Sequence, residues 1–206
     1  MASNFQEASG KKLRIGIFGG TFDPVHNAHL EIGHRVQAIL QLDQIIFIPN
    51  AQSPIKASAP RASGAQRKTM LALAIEGEPA FAIDMYEVER GGLSFSVETA
   101  LHFKEQFPAA KLFWILGADQ FEQLERWRDI EKLASLLTFA VFRRAGASVI
   151  APAIAGLKYH DIEAPLMDMS SSEIRKLCAQ GRVPSHLLPG GLDAFILQQG
   201  LYKQEG

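Results

Sequence analysis

Cysteine is almost missing from this chain: Cys178 is the only one in 206 residues. A single thiol excludes an internal disulfide framework and a cysteine-rich zinc site, and it fits a reducing, cytoplasmic compartment. Charge of one sign is missing as well, since 21 Lys and Arg stand against 22 Asp and Glu, a formal net charge of −1. That balance argues against broad binding to nucleic acid or to an anionic membrane, which needs a basic field over a whole face. Any anion must be met by local charge. Long apolar runs are also absent, because Gly, Pro or charge interrupts each candidate within about ten residues, short of the ~20 a membrane helix needs. The stretch 1–12, MASNFQEASGKK, lacks the apolar core of a secretory signal and is expected to be a frayed tail. Neither G-x-G-x-x-G nor G-x-x-x-x-G-K-[ST] occurs, which excludes the dinucleotide fingerprint and the Walker loop.

What is present is an alternation of buried strands and amphipathic helices. Leu13 to Phe18 is a continuous apolar run that stops at Gly19-Gly20. Leu30 to Leu40 then has helical spacing, and Ile45 to Pro49 is a second buried strand. Strand, helix and strand in so short a span make a right-handed βαβ unit and a parallel sheet. Residues 50–64 turn to Pro, Ser, Ala and Lys, the composition of a surface loop. Helices are expected over Gln66 to Ile75, Ser96 to Phe107, Ile130 to Leu137, Ser171 to Ala179 and Leu192 to Gln199. Strands are expected over Phe81 to Val88, Lys111 to Leu116, Thr138 to Phe142 and Lys158 to Ile162. The fold class is therefore α/β, a Rossmann-like doubly wound parallel sheet with helices on both faces. The hydrophobic content, 47%, and the length suit one domain over 13–206, with about 165–206 as a small helical appendage. Ligands of such sheets sit beyond the carboxyl ends of the strands, where Gly19 to Asp23, Pro49 to Lys56, Gly117 to Asp119 and Arg143-Arg144 all fall.

The stretch from Leu13 to Leu40 carries the strongest chemical signal. Gly19 and Gly20 let the backbone turn sharply and approach a ligand, and the helix that follows offers unpaired N–H groups to an anion. His26 and His29, three apart at the helix start, can point the same way. They read as donors to a polyphosphate that stabilise the charge built up in transfer. Two other readings stay open: a metal pair, for which no third ligand sits at a familiar spacing, and a pair of structural polar residues. A second candidate is Met169 to Arg175, where Ser170 and Glu173 form a capping box and Met169 with Ile174 a hydrophobic staple. Those features start a helix in any protein. The same geometry, hydroxyls at a helix N-terminus with Arg175 one turn in, also suits an anion. Trp127 either packs in the core or stacks on a planar ligand. At least one of Arg143 and Arg144 is expected to face the crevice.

Taken together, GGTFDPVHNAH resembles the G-x-F-x-P-x-H-x-G-H signature of the nucleotidyltransferase superfamily, and SSSEIR resembles its second signature, a Ser/Thr-rich run ending in x-I-R. Within that superfamily the chain is similar to the bacterial nicotinate-mononucleotide adenylyltransferases. The further likenesses are IPN at Ile48 to Asn50, QRK-x-ML at Gln66 to Leu71, G-x-D at Gly117 to Asp119 and the FRR, LLP and GLY segments. The resemblance implies that the 5′-phosphate of nicotinate mononucleotide attacks the α-phosphorus of ATP in line, with Mg2+ carried on the ATP. It implies catalytic roles for His26, His29 and Arg175. ATP would be held by Gly19, Gly20, Thr21, Phe22, Asp119, Ser171 and Ser172, and the mononucleotide by Lys56, Ser96, Thr99, Trp127 and Arg143. The partners implied are these two nucleotides, with no nucleic acid and no membrane; a homodimer is one expected state, which the sequence does not decide. Three positions depart from the pattern: Ala28 replaces a glycine, Ile55 a histidine, and Phe95-Ser96 a Tyr-Thr pair. An acceptor other than nicotinate mononucleotide, such as nicotinamide mononucleotide or phosphopantetheine, is the alternative, and a non-catalytic nucleotide-binding module is a third reading.

Overall fold

The computed structural model describes residues 12–55, 58–164 and 169–203. Its strands are β1 (Arg14–Gly20), β2 (Gln44–Pro49), β3 (Phe81–Ile83), β4 (Lys111–Gly117), β5 (Thr138–Arg144) and β6 (Tyr159–Ala164). They form one sheet in the order β3-β2-β1-β4-β5-β6, with every neighbouring pair parallel. The helices are α1 (Asn27–Leu40), α2 (Gly64–Ala74), α3 (Tyr86–Arg90), α4 (Ser96–Gln106), α5 (Ala118–Phe121), α6 (Ile130–Leu136), α7 (Ser171–Ala179) and α8 (Leu192–Gln198). From β1 the chain adds strands outward on one side, then returns to start β4 on the other. The strand order therefore reverses between β1 and β4, and a crevice opens at their carboxyl ends.

Side-chain alternation divides the core between the two faces of the sheet. Phe18, Phe47, Phe113 and Ile115 pack with Ile32 and Val36 of α1, Met70 and Leu71 of α2, Ile174 of α7 and Ile196 of α8. Ile17, Ile46, Trp114 and Val141 pack on the opposite face with Val97 and Phe103 of α4 and Leu133 of α6. The helical segment toward the C-terminus shares its core with α1 and α2, because Leu192, Ile196 and Tyr202 are buried in that same cluster. It is integral to that face of the sheet.

Two local expectations change. First, Gly19 and Gly20 are not the turn: β1 continues through them, in register with Ile48 and Pro49. Their lack of a side chain serves close approach instead, since a Cβ would stand 3.2 Å from the Trp114 ring at Gly19 and 2.8 Å from the Phe22 ring at Gly20. The turn is made by Phe22, whose φ of 49° lies in the left-handed region that a bulky residue adopts only under constraint. Second, the strand expected over 81–88 stops at Ile83. Asp84 accepts the Tyr86 N–H on its own carboxylate at 2.7 Å, which bends the chain into α3. The alternating pattern at 81–88 therefore describes a short edge strand and one side of a brief helix.

Candidate active site

The crevice at the strand ends has a volume of about 1120 Å³. The segment Gly20 to His26 lines it, and the main chain there is held by four bonds from three places: the residue after β2, α2 and α7. Gly20 O accepts the Asn50 N–H at 2.9 Å. Thr21 O accepts Arg67 Nη1 at 3.0 Å, Asp23 O accepts Arg175 Nη1 at 2.7 Å, and Pro24 O accepts the Ser171 hydroxyl at 2.9 Å. In a trans peptide the next N–H points opposite to the carbonyl, so the Phe22 N–H is turned away from the Arg67 donor. Main-chain N–H groups presented in this way suit an anion.

His26 caps α1 in an extended conformation, and the two histidines exchange main-chain bonds. His26 N–H donates to His29 Nδ1 at 3.2 Å, while His29 N–H donates to the His26 carbonyl at 2.9 Å. A neutral His29 must then carry its proton on Nε2. The rings lie 3.8 Å apart at 32°, so the sequence pair is also a spatial pair. His26 is buried, and burial lowers its pKa to about 4. It is a neutral ring at physiological pH, and its Nδ1 has no hydrogen-bond partner among the described residues. Phe22 meets the His29 ring edge-on at 5.0 Å and fixes its tilt.

Across the crevice, α7 begins at Ser171. Ser170 accepts the Glu173 N–H at 3.2 Å, the N-cap half of the expected box. Arg175 is anchored twice, through Asp23 O and through the Ser172 hydroxyl at 3.1 Å. The result is a guanidinium fixed beside the Gly20–His26 loop. On the far wall, Asp119 stands exposed in the first turn of α5, and Trp127 lies half-buried with its ring edge-on to Trp114 at 6.2 Å. Ser96 opens α4 beside it. Arg143 borders the crevice while donating to Asp161 at 2.7 Å and Glu163 at 3.1 Å, which raise its pKa. Gly19, Gly20, Thr21, Phe22, Ser171 and Ser172 also line the crevice. Lys56 lies outside the described residues. Thr99 is the one described candidate that does not reach the crevice: it is buried beneath it, and its hydroxyl donates to Glu87 at 2.6 Å. Glu87 is what borders the ligand space there, with its carboxyl pKa raised by burial.

The sequence reading passed over the residues that brace the site. Asp23 is buried and accepts from Arg61 N at 2.7 Å, Ala62 N at 3.1 Å and the Tyr202 hydroxyl at 2.7 Å. Arg67 is buried too, spanning Thr21 O and Asn50 O, the latter at 2.7 Å. Asp23-Pro24 signals only a turn, and an arginine early in a helix reads as a solvated charge. Their partners are far away in the chain, and no local pattern discloses them. Among the described residues no group of three or more His, Cys, Asp or Glu side chains could hold a metal ion.

The family described as cytidylyltransferase-like matches residues 17–177. The chain is 34% identical to a probable nicotinate-nucleotide adenylyltransferase of Opitutus terrae, covering 93% of this chain and 98% of that protein. It is 36% identical to a probable nicotinate-nucleotide adenylyltransferase of Streptococcus pyogenes, covering 96% and 92%. Its fold is similar to that of Plasmodium falciparum nicotinic acid mononucleotide adenylyltransferase complexed with NaAD, with a TM-score of 0.76 at 20% identity over 92% of this chain and 97% of that one.

Proposed function

Since the chain belongs to the cytidylyltransferase-like family, and within it to the nicotinate-nucleotide adenylyltransferases, we propose the following course for its reaction. A non-bridging oxygen of the 5′-phosphate of nicotinate mononucleotide attacks the α-phosphorus of ATP. The new P–O bond forms as the bond from the α-phosphorus to the bridging oxygen breaks, and the electron pair leaves with pyrophosphate. The products are nicotinate adenine dinucleotide and pyrophosphate, with no covalent enzyme intermediate. A phosphate is already a nucleophile, so the protein's part is to align the reactants and stabilise charge. His26 and His29 donate to the α- and β-phosphates, with the Gly19–Phe22 loop beside them. Arg175 and the hydroxyls of Ser171 and Ser172 receive the departing pyrophosphate, and Asp119 holds the ATP ribose. Trp127 stacks on the pyridine ring, with Ser96, Lys56 and Arg143 around the mononucleotide.

Nucleotidyltransferases of this kind generally use a divalent metal with ATP, and we take it to be Mg2+. The donor set suits an ion that arrives on the triphosphate, because Mg2+ accepts phosphate oxygens and water without a dedicated protein cage. We take residues 13–206 as one catalytic unit working in the cytoplasm. The observation that carries the reading is the close, tautomer-ordered histidine pair beside a loop whose carbonyls are bonded to other elements, with a doubly anchored Arg175 at the same crevice. Incubation with MgATP and, in parallel, nicotinate mononucleotide, nicotinamide mononucleotide and phosphopantetheine tests it. Pyrophosphate release fastest with nicotinate mononucleotide is expected. Release with none of the three overturns the reading.

A further inference from the structure

Asp23 precedes His26 by three residues, and its side chain is 2% exposed. One of its oxygens receives the Tyr202 hydroxyl at 2.7 Å together with the Ala62 N–H, and the other receives the Arg61 N–H. Its carbonyl takes Arg175 Nη1. Asp23 thus joins the phosphate loop to the 58–62 segment, to α7 and to the segment after α8. Among the described residues, Tyr202 supplies the only side-chain hydroxyl bonded to the Asp23 carboxylate. Its ring is buried, and the hydroxyl also lies 3.8 Å from Met70 Sδ.

We propose that Tyr202 is a positioning residue for adenylyl transfer: by donating to Asp23 it holds the phosphate loop, and with it His26 and His29, in register with Arg175. Burial and the adjacent carboxylate raise the phenol's pKa, so the hydroxyl remains a donor across the working range. Without that donor, one oxygen of a buried carboxylate keeps a single main-chain partner, and the loop shifts to recover another. A displacement well under 1 Å at such a loop is felt in the chemical step, because the phosphorus and its attacking oxygen must lie in line. The wall formed by Ser96 and Trp127 belongs to other elements, so acceptor binding is unaffected.

This inference rests on the adenylyltransferase reading, and two measurements separate them. Tyr202→Phe keeps the ring and removes only the hydroxyl. Its kcat is expected to fall about tenfold with the KM for nicotinate mononucleotide unchanged. Ile196→Val, in the same core cluster, serves as a control for lost packing and should retain wild-type kcat. Hydrogen exchange of the amides in residues 21–26 needs no substrate, and it should be several-fold faster in Tyr202→Phe and unchanged in Ile196→Val. Wild-type kcat and wild-type exchange in Tyr202→Phe overturn the proposal, as does an equal loss in both variants. A wild-type protein that releases no pyrophosphate counts against the reaction instead, and the exchange comparison still tests the clasp.

Discussion

The backbone N–H of His26 ends on Nδ1 of His29, at 3.2 Å, so one main-chain bond decides which nitrogen of the neighbouring ring is a donor. Under the proposed reaction, helix capping and catalysis would use the two sides of the same imidazole. Nδ1 starts α1 in the way a capping-box residue does, and a neutral ring carries its proton on Nε2, the side the proposed reaction assigns to phosphate.

His29→Ala therefore removes both functions and His29→Gln only one. Turnover should fall by about two or more powers of ten in each, the usual consequence of losing a charge-stabilising donor. The glutamine variant keeps an acceptor for the N-cap N–H and should melt closer to the wild type than the alanine variant does. Steady-state kinetics and thermal melts of the two, side by side, check this; unchanged turnover would remove His29 from the site.

His26 makes a prediction about pH. Its folded pKa is about 4, against an ordinary 6.5, so between these values the unfolded chain binds more protons than the native one. Its contribution is fully present above pH 6.5 and is lost as pH falls toward 4, by on the order of 3 kcal/mol. Glu87 has the opposite sign, since burial raises its carboxyl pKa and stability is lost as pH rises through that value. Denaturant midpoints from pH 4 to 7 should fall less steeply on acidification in His26→Gln than in the wild type. Equal slopes would show that His26 is not buried in its neutral form.

Arg67 links Thr21 O and Asn50 O, and so ties the end of β1 to the end of β2. Arg67→Met fills much of the same space without the donors, leaving two carbonyls short of a partner in a buried place. A loss of about 2–4 kcal/mol in unfolding free energy is expected. Chemical denaturation measures it, and a loss under about 0.5 kcal/mol, the scale of an ordinary surface change, would contradict the bracing role.

Trp127 is half-buried and borders the crevice, with an indole N–H that has no partner among the described residues. Trp127→Ala should raise the KM for the mononucleotide by about ten- to a hundredfold, the range for loss of a stacked aromatic. Trp127→Phe should recover most of it, and neither should alter the KM for ATP by a comparable factor. Initial rates with each substrate varied in turn distinguish this from a general loss of packing.

The sheet and most of its helices were legible because burial imposes periodicity on the sequence, as in IIFIP for β2 and KLFWIL for β4. The histidine pair and the Ser170 cap were legible for a related reason: each is a local spacing with a local consequence. Gly19-Gly20 misled, because glycine permits a turn and permits close packing with equal ease, and only the Trp114 and Phe22 rings distinguish the two. Thr99 was assigned to the ligand by resemblance, but it stands one layer below Glu87. Asp23, Arg67 and Tyr202 stood inside quoted segments, Gly19 to Asp23, QRK and GLY, but nothing local showed what they bond to. Their meaning lies in partners 38, 46 and 179 residues away, and such contacts become visible only in three dimensions.

The long reach of those contacts also bears on the order in which the protein is made. The glycines, Phe22 and both histidines leave the ribosome early, but Ser171, Arg175 and Tyr202, which hold their loop, follow 147, 152 and 179 residues after their partners. A nascent chain can pair β1 with β2 and pack α1 against them while the phosphate loop still lacks half of its anchors. The loop therefore acquires its full set of bonds only after the segment following α8 has been made.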